Sequence, residues 1–113
     1  KDKKKIEEEL EKATKEAIAI PLEICQLSLQ SLKICMHLID KSNINLISDL
    51  FISAILLKSG FQSALINIEM NLNCLKDKDY LREIREIIEP LIKENEILYN
   101  LIQERIKEKM STR

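Results

Sequence analysis

The side chains with the capacity for chemistry are concentrated between residues 43 and 75 of the chain. They are Asn43, Asn45, Ser48, Asp49, Asn67 and Asn71. Amide, hydroxyl and carboxylate groups can cap helices and close turns, and the same groups can hydrogen-bond a ligand. On composition alone, turns and caps are the simpler interpretation of the two asparagines and the serine that open this stretch.

A long, mostly apolar helix from Asp49 to about Leu75 must position these side chains. Ser48 is a good N-cap by type, and Asp49 would follow in the first turn, where the helix dipole favours a carboxylate. At about 100° per residue, Asp49, Asn67 and Asn71 share one stripe of this helix. The other members of the stripe are Ser53, Leu56, Gly60 and Ala64. Such a seam of small and polar residues invites close approach by a neighbouring backbone, a ligand, or both.

Gly60 lies in the interior of this predicted helix. A glycine there costs about 1 kcal/mol relative to alanine. Its presence therefore predicts a neighbouring helix packed closely against this position.

The cysteines and the single histidine are weaker candidates for chemistry. Cys25, Cys35 and Cys74 form no C-x-x-C pair, and Cys25 and Cys35 are about 15 Å apart along one predicted helix, too far for a disulfide. We expect all three cysteines to be buried small hydrophobes in a reducing, cytoplasmic setting. One histidine, His37, is too few for a zinc site with these cysteines, so no metal is expected.

Length and charge limit the classes of function. The 113 residues predict a single domain over 1–113, and the net charge of −1 argues against nucleic-acid binding. We expect the lysine-rich start to be part of a charged helix rather than a signal peptide. The run from residue 50 to 75 approaches membrane-span length, but Lys58, Gln62, Asn67, Glu69 and Asn71 interrupt it. We therefore interpret it as a buried helix of a soluble protein, with no membrane partner.

Two further helices flank this one. The first is predicted from about Ile6 to Leu38, with a kink or local break at Pro21, and residues 39–48 form a loop. The third is predicted from Tyr80 to about Met110, with Asp79 as N-cap and a kink at Pro90. Asn95 falls within its series of apolar positions, which are Ile84, Ile88, Leu91, Leu98 and Ile102.

The pattern predicts an all-α fold, an antiparallel bundle of long, proline-kinked helices. Two neighbours cannot cover both apolar flanks of the second helix. One flank is continuous, and the other contains Ile52, Ile66 and Met70. We therefore expect either a homodimer or higher oligomer, or further helices that complete the bundle.

Three motifs in order resemble the cyclodeaminase/cyclohydrolase family of folate enzymes, which includes the C-terminal domain of formiminotransferase-cyclodeaminase. Residues 13–22, Ala-Thr-Lys-Glu-Ala-Ile-Ala-Ile-Pro-Leu, resemble an alanine-rich family segment that ends in Val-Pro or Ile-Pro. Asn43-x-Asn45-x-x-Ser48-Asp49 is similar to the family's Asn-x-Asn-x-x-Ser-Asp loop. Ala64, Asn67-Ile68 and Asn71-Leu72 are similar to its Ala-x-x-Asn-Val-x-x-Asn.

The resemblance has two departures from the family pattern. Ser42 stands where family members often have glycine. The likeness also covers only the later part of the family domain, without its Gly-rich, phosphate-loop-like segment and the acidic residues implicated there in catalysis. The chain is therefore expected to be a C-terminal portion of such a domain.

The resemblance implies chemistry on the one-carbon unit of a tetrahydrofolate derivative as substrate, with no bound prosthetic group. A cyclodeaminase forms 5,10-methenyltetrahydrofolate and ammonia from 5-formiminotetrahydrofolate, and a cyclohydrolase interconverts the methenyl and 10-formyl forms. It implies Asp49 as the catalytic carboxylate, and Asn43, Asn45, Ser48, Asn67 and Asn71 as substrate-binding candidates. Asn67 and Asn71 lie about 27 and 33 Å along the helix from Asp49, so one subunit cannot bring all of them together.

A second hypothesis belongs to another class: a helical interaction or oligomerisation module without catalysis. It accounts for the apolar flanks and the apolar seam of the third helix. Folate binding by the isolated chain separates the two hypotheses.

Overall fold

The computed structural model describes residues 2–111, which form three long helices with no strand among them. Helix α1 spans Asp2–Ile39, α2 spans Ile44–Leu72 and α3 spans Lys78–Ser111. Apolar periodicity and a sequence rich in Leu, Ile, Lys and Glu account for the length of these helices. The predicted all-α fold is confirmed.

Helices α1 and α2 are antiparallel, and α3 runs in the direction of α1. Ile18 packs in one core cluster with Leu72, whereas Ile39 packs in a second cluster with Ile47. Three ion pairs show that α3 runs parallel to α1, since they occur in the same order along both segments. They are Lys15–Asp77, Lys33–Glu94 and Asp40–Arg105, and Asp77 lies just before the start of α3. The result is a rod with principal extents of 70 × 20 × 16 Å.

The helix ends differ from the sequence-based expectation. Helix α1 starts at Asp2 rather than Ile6, since its lysines and glutamates are good helix formers. Helix α2 starts at Ile44, five residues before Asp49, and ends at Leu72 rather than Leu75. Both prolines lie inside continuous helices, so the local break considered at Pro21 does not occur.

The prediction of Asp79 as the N-cap of α3 is wrong. Helix α3 begins at Lys78, and the Asp77 Oδ1 atom accepts a hydrogen bond from the Tyr80 backbone N–H at 3.1 Å. Asp79 is instead in the first turn, where it pairs with Arg82. Asp77 can cap because its side chain precedes the first free N–H groups of the helix.

The core divides into two apolar clusters along the rod. Their buried members come from all three helices. Cys25 and Cys35 are buried in separate clusters, and burial raises the pKa of both thiols. All three cysteines are free, but Cys74 is exposed, so the expectation that it is buried is wrong.

The space at Gly60 is not required by α1. A Cβ atom at this position would lie 3.8 Å from the Ser28 Oγ atom, an ordinary van der Waals contact. Helix α1 therefore packs against this position, as predicted, but at a distance that would also accept an alanine.

One side of the α1–α2 pair remains uncovered. We call this surface the open face and define it by ten large apolar side chains that are 40–67% exposed. They are Ile20, Ile24, Leu27, Ile34 and Leu38 of α1, and Ile52, Ile55, Leu56, Ile66 and Met70 of α2. Lys33 of α1 and Glu69 of α2 form ion pairs with α3, so they mark the side of each helix that faces α3. Most residues of the open face are rotated by about 100° or more around their helix axis from these two positions, so the open face points away from α3.

The interpretation of α2 as a buried helix is wrong for the chain by itself. Both α1 and α2 are long and apolar enough to cross a membrane by length and composition. Only 17% of the most apolar stretch of α2 is buried inside the chain. Lys58 in the middle of α2 and Glu69 near its end both interact with α3, which leaves the open face without a lysine, arginine or glutamate from α2.

The turn between α2 and α3 is tied to α1 by charged groups. The Glu11 carboxylate accepts hydrogen bonds from the backbone N–H groups of Lys76 at 3.0 Å and Asp77 at 2.8 Å. The Lys15 Nζ atom lies 2.7 Å from the Asp77 Oδ2 atom. The two backbone donors hold the pKa of Glu11 below its usual range, and the Lys15 ammonium group does the same for Asp77.

We predict that Glu11→Ala destabilises the protein at pH 7 and that this effect fades in acid. The pKa of Glu11 is lower in the folded state, so its stabilisation is present above the ordinary value of 4.5 and is lost as pH falls below it. Urea unfolding at pH 7 and at about pH 3.5 measures the change, with exposed Glu9→Ala as the matched control. An equal effect of Glu11→Ala at both pH values would contradict the role of the carboxylate.

Candidate functional site

The turn between α1 and α2 is built from caps and long side chains of α3. The Asn43 Oδ1 atom accepts a hydrogen bond from the Asn45 N–H at 3.0 Å, which makes Asn43 the N-cap of α2. The Lys109 ammonium group donates to the Ile39 carbonyl oxygen at 2.7 Å. Arg105 pairs with Asp40. The end of α3 therefore fixes the end of α1 and the start of α2 together.

Two sequence-based assignments at this turn are corrected. The segment from residue 44 to 48 is helical, not a loop, and Ser48 is not the N-cap. Asp49 is the sixth residue of α2 and lies beyond its first turn. The cause is Asn43, whose extended backbone and side-chain acceptor start the helix one full turn earlier than Ser48 would.

Asn45, Ser48 and Asp49 form a polar cluster at the start of α2. All three are exposed, and the spacings of three and four residues place Ser48 and Asp49 on the same helix face as Asn45. Within residues 2–111, the Asp49 side chain takes part in no hydrogen bond or ion pair. Its carboxylate is therefore available to a ligand or to another surface.

A shallow pocket of about 310 Å³ borders this cluster. Its lining combines Asn45 and Ser48 with apolar side chains from the start of α2 and the end of α3, namely Ile44, Ile47 and Met110. Asp49 lies outside the lining, within one turn of Ser48. The pocket offers hydrogen-bonding groups beside an apolar floor, an arrangement that suits the edge of a planar heterocycle.

Asn67 and Asn71 lie at the other end of α2 and do not join the cluster. Helix α2 is continuous, so they remain about 27 and 33 Å from Asp49 along its axis. Asn67 is exposed, and the Asn71 Nδ2 atom donates to the Asn67 carbonyl oxygen at 2.9 Å. One copy of the chain thus presents two separate polar groups on one stripe of α2.

The polar cluster has the chemistry for proton transfer next to hydrogen bonding. A carboxylate can accept or return a proton, while an amide and a hydroxyl can donate to or accept from a polar substrate edge. The cluster is open to solvent, so water exclusion requires another surface above it. No group of three or more His, Cys, Asp or Glu side chains within residues 2–111 is placed to hold a metal ion.

Sequence reasoning missed the contribution of α3 to this site. Lys109 holds the turn, and Met110 lines the pocket. The one available signal is the basic residue in the last turn, a type that often bonds to free carbonyl groups. A basic residue in the last turn does not by itself predict that Lys109 donates to a carbonyl group of α1 rather than of its own helix.

Comparisons with known proteins match most of the chain. The model of a family described as formiminotransferase-cyclodeaminase matches residues 1–90. A methenyltetrahydrofolate cyclohydrolase from Methylorubrum extorquens is 28% identical over 102 residues, which cover 90% of this chain and 49% of that protein. The chain therefore spans about half the length of the curated relative that it matches.

We predict that Asn43→Ala lowers the free energy of unfolding by about 1 kcal/mol, because the α2 N-cap is lost. Ser48→Ala should change it by less than about 0.5 kcal/mol, because Ser48 lies exposed inside the helix. Asn43→Ser should retain most of the stability, since serine also caps. Chemical denaturation of the three variants measures these changes, and a larger cost at Ser48 than at Asn43 would contradict the observed start of α2.

Proposed function

The chain belongs to the formiminotransferase-cyclodeaminase family, and we propose that it binds a tetrahydrofolate derivative and contributes to chemistry on its one-carbon unit. The observation that carries this proposal is the family match together with the Asn45–Ser48–Asp49 cluster beside an apolar pocket. The cyclohydrolase name of the matched relative supports a reduced folate as the substrate class. A cytoplasmic location is part of the same proposal.

Two related reactions fit these groups. In a cyclohydrolase reaction, water adds to the cationic methenyl carbon, the bond from that carbon to N5 breaks, N5 takes one water proton, and the other leaves to solvent. In a cyclodeaminase reaction, N10 attacks the carbon of the protonated formimino group, the N10 proton passes to the leaving nitrogen, and ammonia departs, which leaves the positive charge on the methenyl product. Both reactions pass through a tetrahedral carbon and require a group that moves a proton.

Asp49 is proposed as that proton-transfer group, or as the anionic partner of the cationic carbon. Its exposed carboxylate has no partner within the described residues, so it can turn towards a ligand. Asn45 and Ser48 would hydrogen-bond the polar edge of the pterin. Asn43 would act by fixing the start of α2, because its side chain is engaged as the cap.

The proposed assembly is a homodimer in which two copies of the open face pair. Together with the polar cluster at the start of α2, the open face extends about 37 Å from residue 45 to residue 70, and a width of about 20 Å gives a combined area of about 740 Å². A stable interface needs about 800 Å² from each partner. The apolar side chains of this surface exceed the scattered exposure that is normal for a monomer.

An antiparallel pairing of the two α2 helices would unite the polar groups that one copy keeps apart. If Asp49 lies opposite Asn67 of the partner subunit, the same register places Asn45 opposite Asn71 of the partner subunit. Leu56 then lies opposite Gly60 of the partner subunit, where the missing side chain gives room for a close approach. This register supports a site completed by both copies. It would also explain why position 60 is a glycine, since packing against α1 does not require one.

A second candidate function is a non-catalytic helical interaction module. The observation that favours it is the open face, which is defined by ten exposed large apolar side chains. In this case the chain would associate stably but would not bind a folate.

We predict that Asp49→Asn weakens binding of 5,10-methenyltetrahydrofolate about 10- to 100-fold, the effect of losing a charged partner. Calorimetric titration of the 113-residue chain at mildly acidic pH, where hydrolysis is slow, measures the dissociation constant. Asp79→Asn is the matched control, since Asp79 is exposed and lies on α3. Equal binding by Asp49→Asn would contradict the assignment, and no binding by any form would favour the interaction module.

We predict that the chain is a dimer in light scattering, with twice the 13.2 kDa chain mass. Ile66→Lys should produce a monomer, because it buries an unpaired charge in the paired open faces. Ile97→Lys on α3 is the control, since Ile97 is 57% exposed against 63% for Ile66. A monomeric wild-type chain, or a dimer that Ile66→Lys leaves intact, would contradict the proposed interface.

A further inference from the structure

A groove between α2 and α3, on a different side of α2 from the open face, contains a buried amide group with no partner. Asn95 is only 4% exposed, and its Nδ2 atom has no hydrogen-bond partner within the described residues. An unsatisfied buried donor costs about 1–3 kcal/mol. Asn95 also interrupts a series of apolar positions on α3, where an isoleucine or leucine would pack without this cost.

The groove has space for a small molecule beside this amide. Its volume is about 260 Å³, which corresponds to about nine water molecules at liquid density. It is the most enclosed of the surface depressions described here, and its apolar walls are Phe61, Leu65 and Ile92. Such a site takes a ligand with an apolar body and one polar group, below the size of a typical drug.

The charged residues around the groove indicate which polar group a ligand would carry. The Lys58 Nζ atom lies 4.3 Å from the centre of the Tyr99 ring, and both residues line the groove. The Asn95 donor and the Lys58 ammonium group together favour an anionic acceptor. Glu96 also lines the groove, and its carboxylate repels a ligand with two or more negative charges more strongly than a ligand with one.

We propose that this groove is a binding site for a small organic monocarboxylate. Its carboxylate accepts the Asn95 Nδ2–H and pairs with Lys58, while its apolar body contacts Phe61 and Leu65. Asn95 and Tyr99 lie beyond residues 1–90, the segment that matches the family model, whereas Lys58, Phe61 and Leu65 lie within it. None of these residues is a defining position of the three family-like motifs. The proposed site is independent of the folate proposal.

Benzoate serves as the probe, and benzamide is its neutral counterpart of similar shape. In nitrogen-15 NMR spectra of the 113-residue chain, benzoate should shift the Asn95 side-chain amide signals in a saturable manner. Benzamide should bind at least about tenfold more weakly, because it cannot pair with the lysine. Equal affinities would overturn the proposal of an anion site, and no saturable shift would show that the groove holds water only.

Two variants test the assigned contacts. Asn95→Leu should remain folded, since an apolar side chain of similar volume removes an unsatisfied donor, and it should lose benzoate binding. Lys58→Gln should weaken benzoate binding at least about tenfold. Lys12→Gln, an exposed lysine of α1 outside the groove, is the control and should leave binding unchanged. Unchanged benzoate affinity in Asn95→Leu would overturn the assignment of the amide.

Discussion

The apolar surface of α2 is larger than two neighbouring helices can cover, and both the open face and the proposed pairing of two copies depend on this constraint. The α1 helix buries one side of α2, including Phe61 and Ile68, and α3 takes its charged side through Lys58 and Glu69. The third side remains apolar and exposed. Hydrophobic burial is the main driving force for association, and this exposed apolar surface is the basis of the proposed homodimer.

In the proposed dimer, the folate site would lie at the edge of the interface. The polar cluster begins where α2 leaves the turn, and the apolar positions of the open face start within the next turn of the same helix. A ligand there would need the partner surface to exclude water. The α2–α3 groove around Asn95 has a different basis, because it lies within one chain and depends on a polar residue in an apolar series.

Most of the fold follows from the sequence, since the period of the apolar residues identifies three helices and their buried sides. The helix ends were harder to predict from the sequence. Asn43 and Ser48 are both good N-cap residues by type, and only the hydrogen bond to the Asn43 side chain decides between them. Asp77 and Asp79 posed the same ambiguity before α3. The contact of Lys109 with the end of α1 joins residues 70 positions apart, so local sequence patterns do not contain it. The stripe of Asp49, Asn67 and Asn71 followed from periodicity alone, and their roles in a site remain predictions.

The most direct test of the proposed antiparallel pairing is a distance between two copies of one position on α2. A spin label at Ser48→Cys, in a Cys74→Ser background, reports the separation of the two labels by pulsed electron paramagnetic resonance. The register that places Asp49 opposite Asn67 of the partner subunit predicts about 30 Å, because position 48 then lies opposite position 68. A separation near one helix diameter, about 10–12 Å, would show parallel pairing, and the absence of any dipolar coupling would show a monomer. Either result would contradict the shared site.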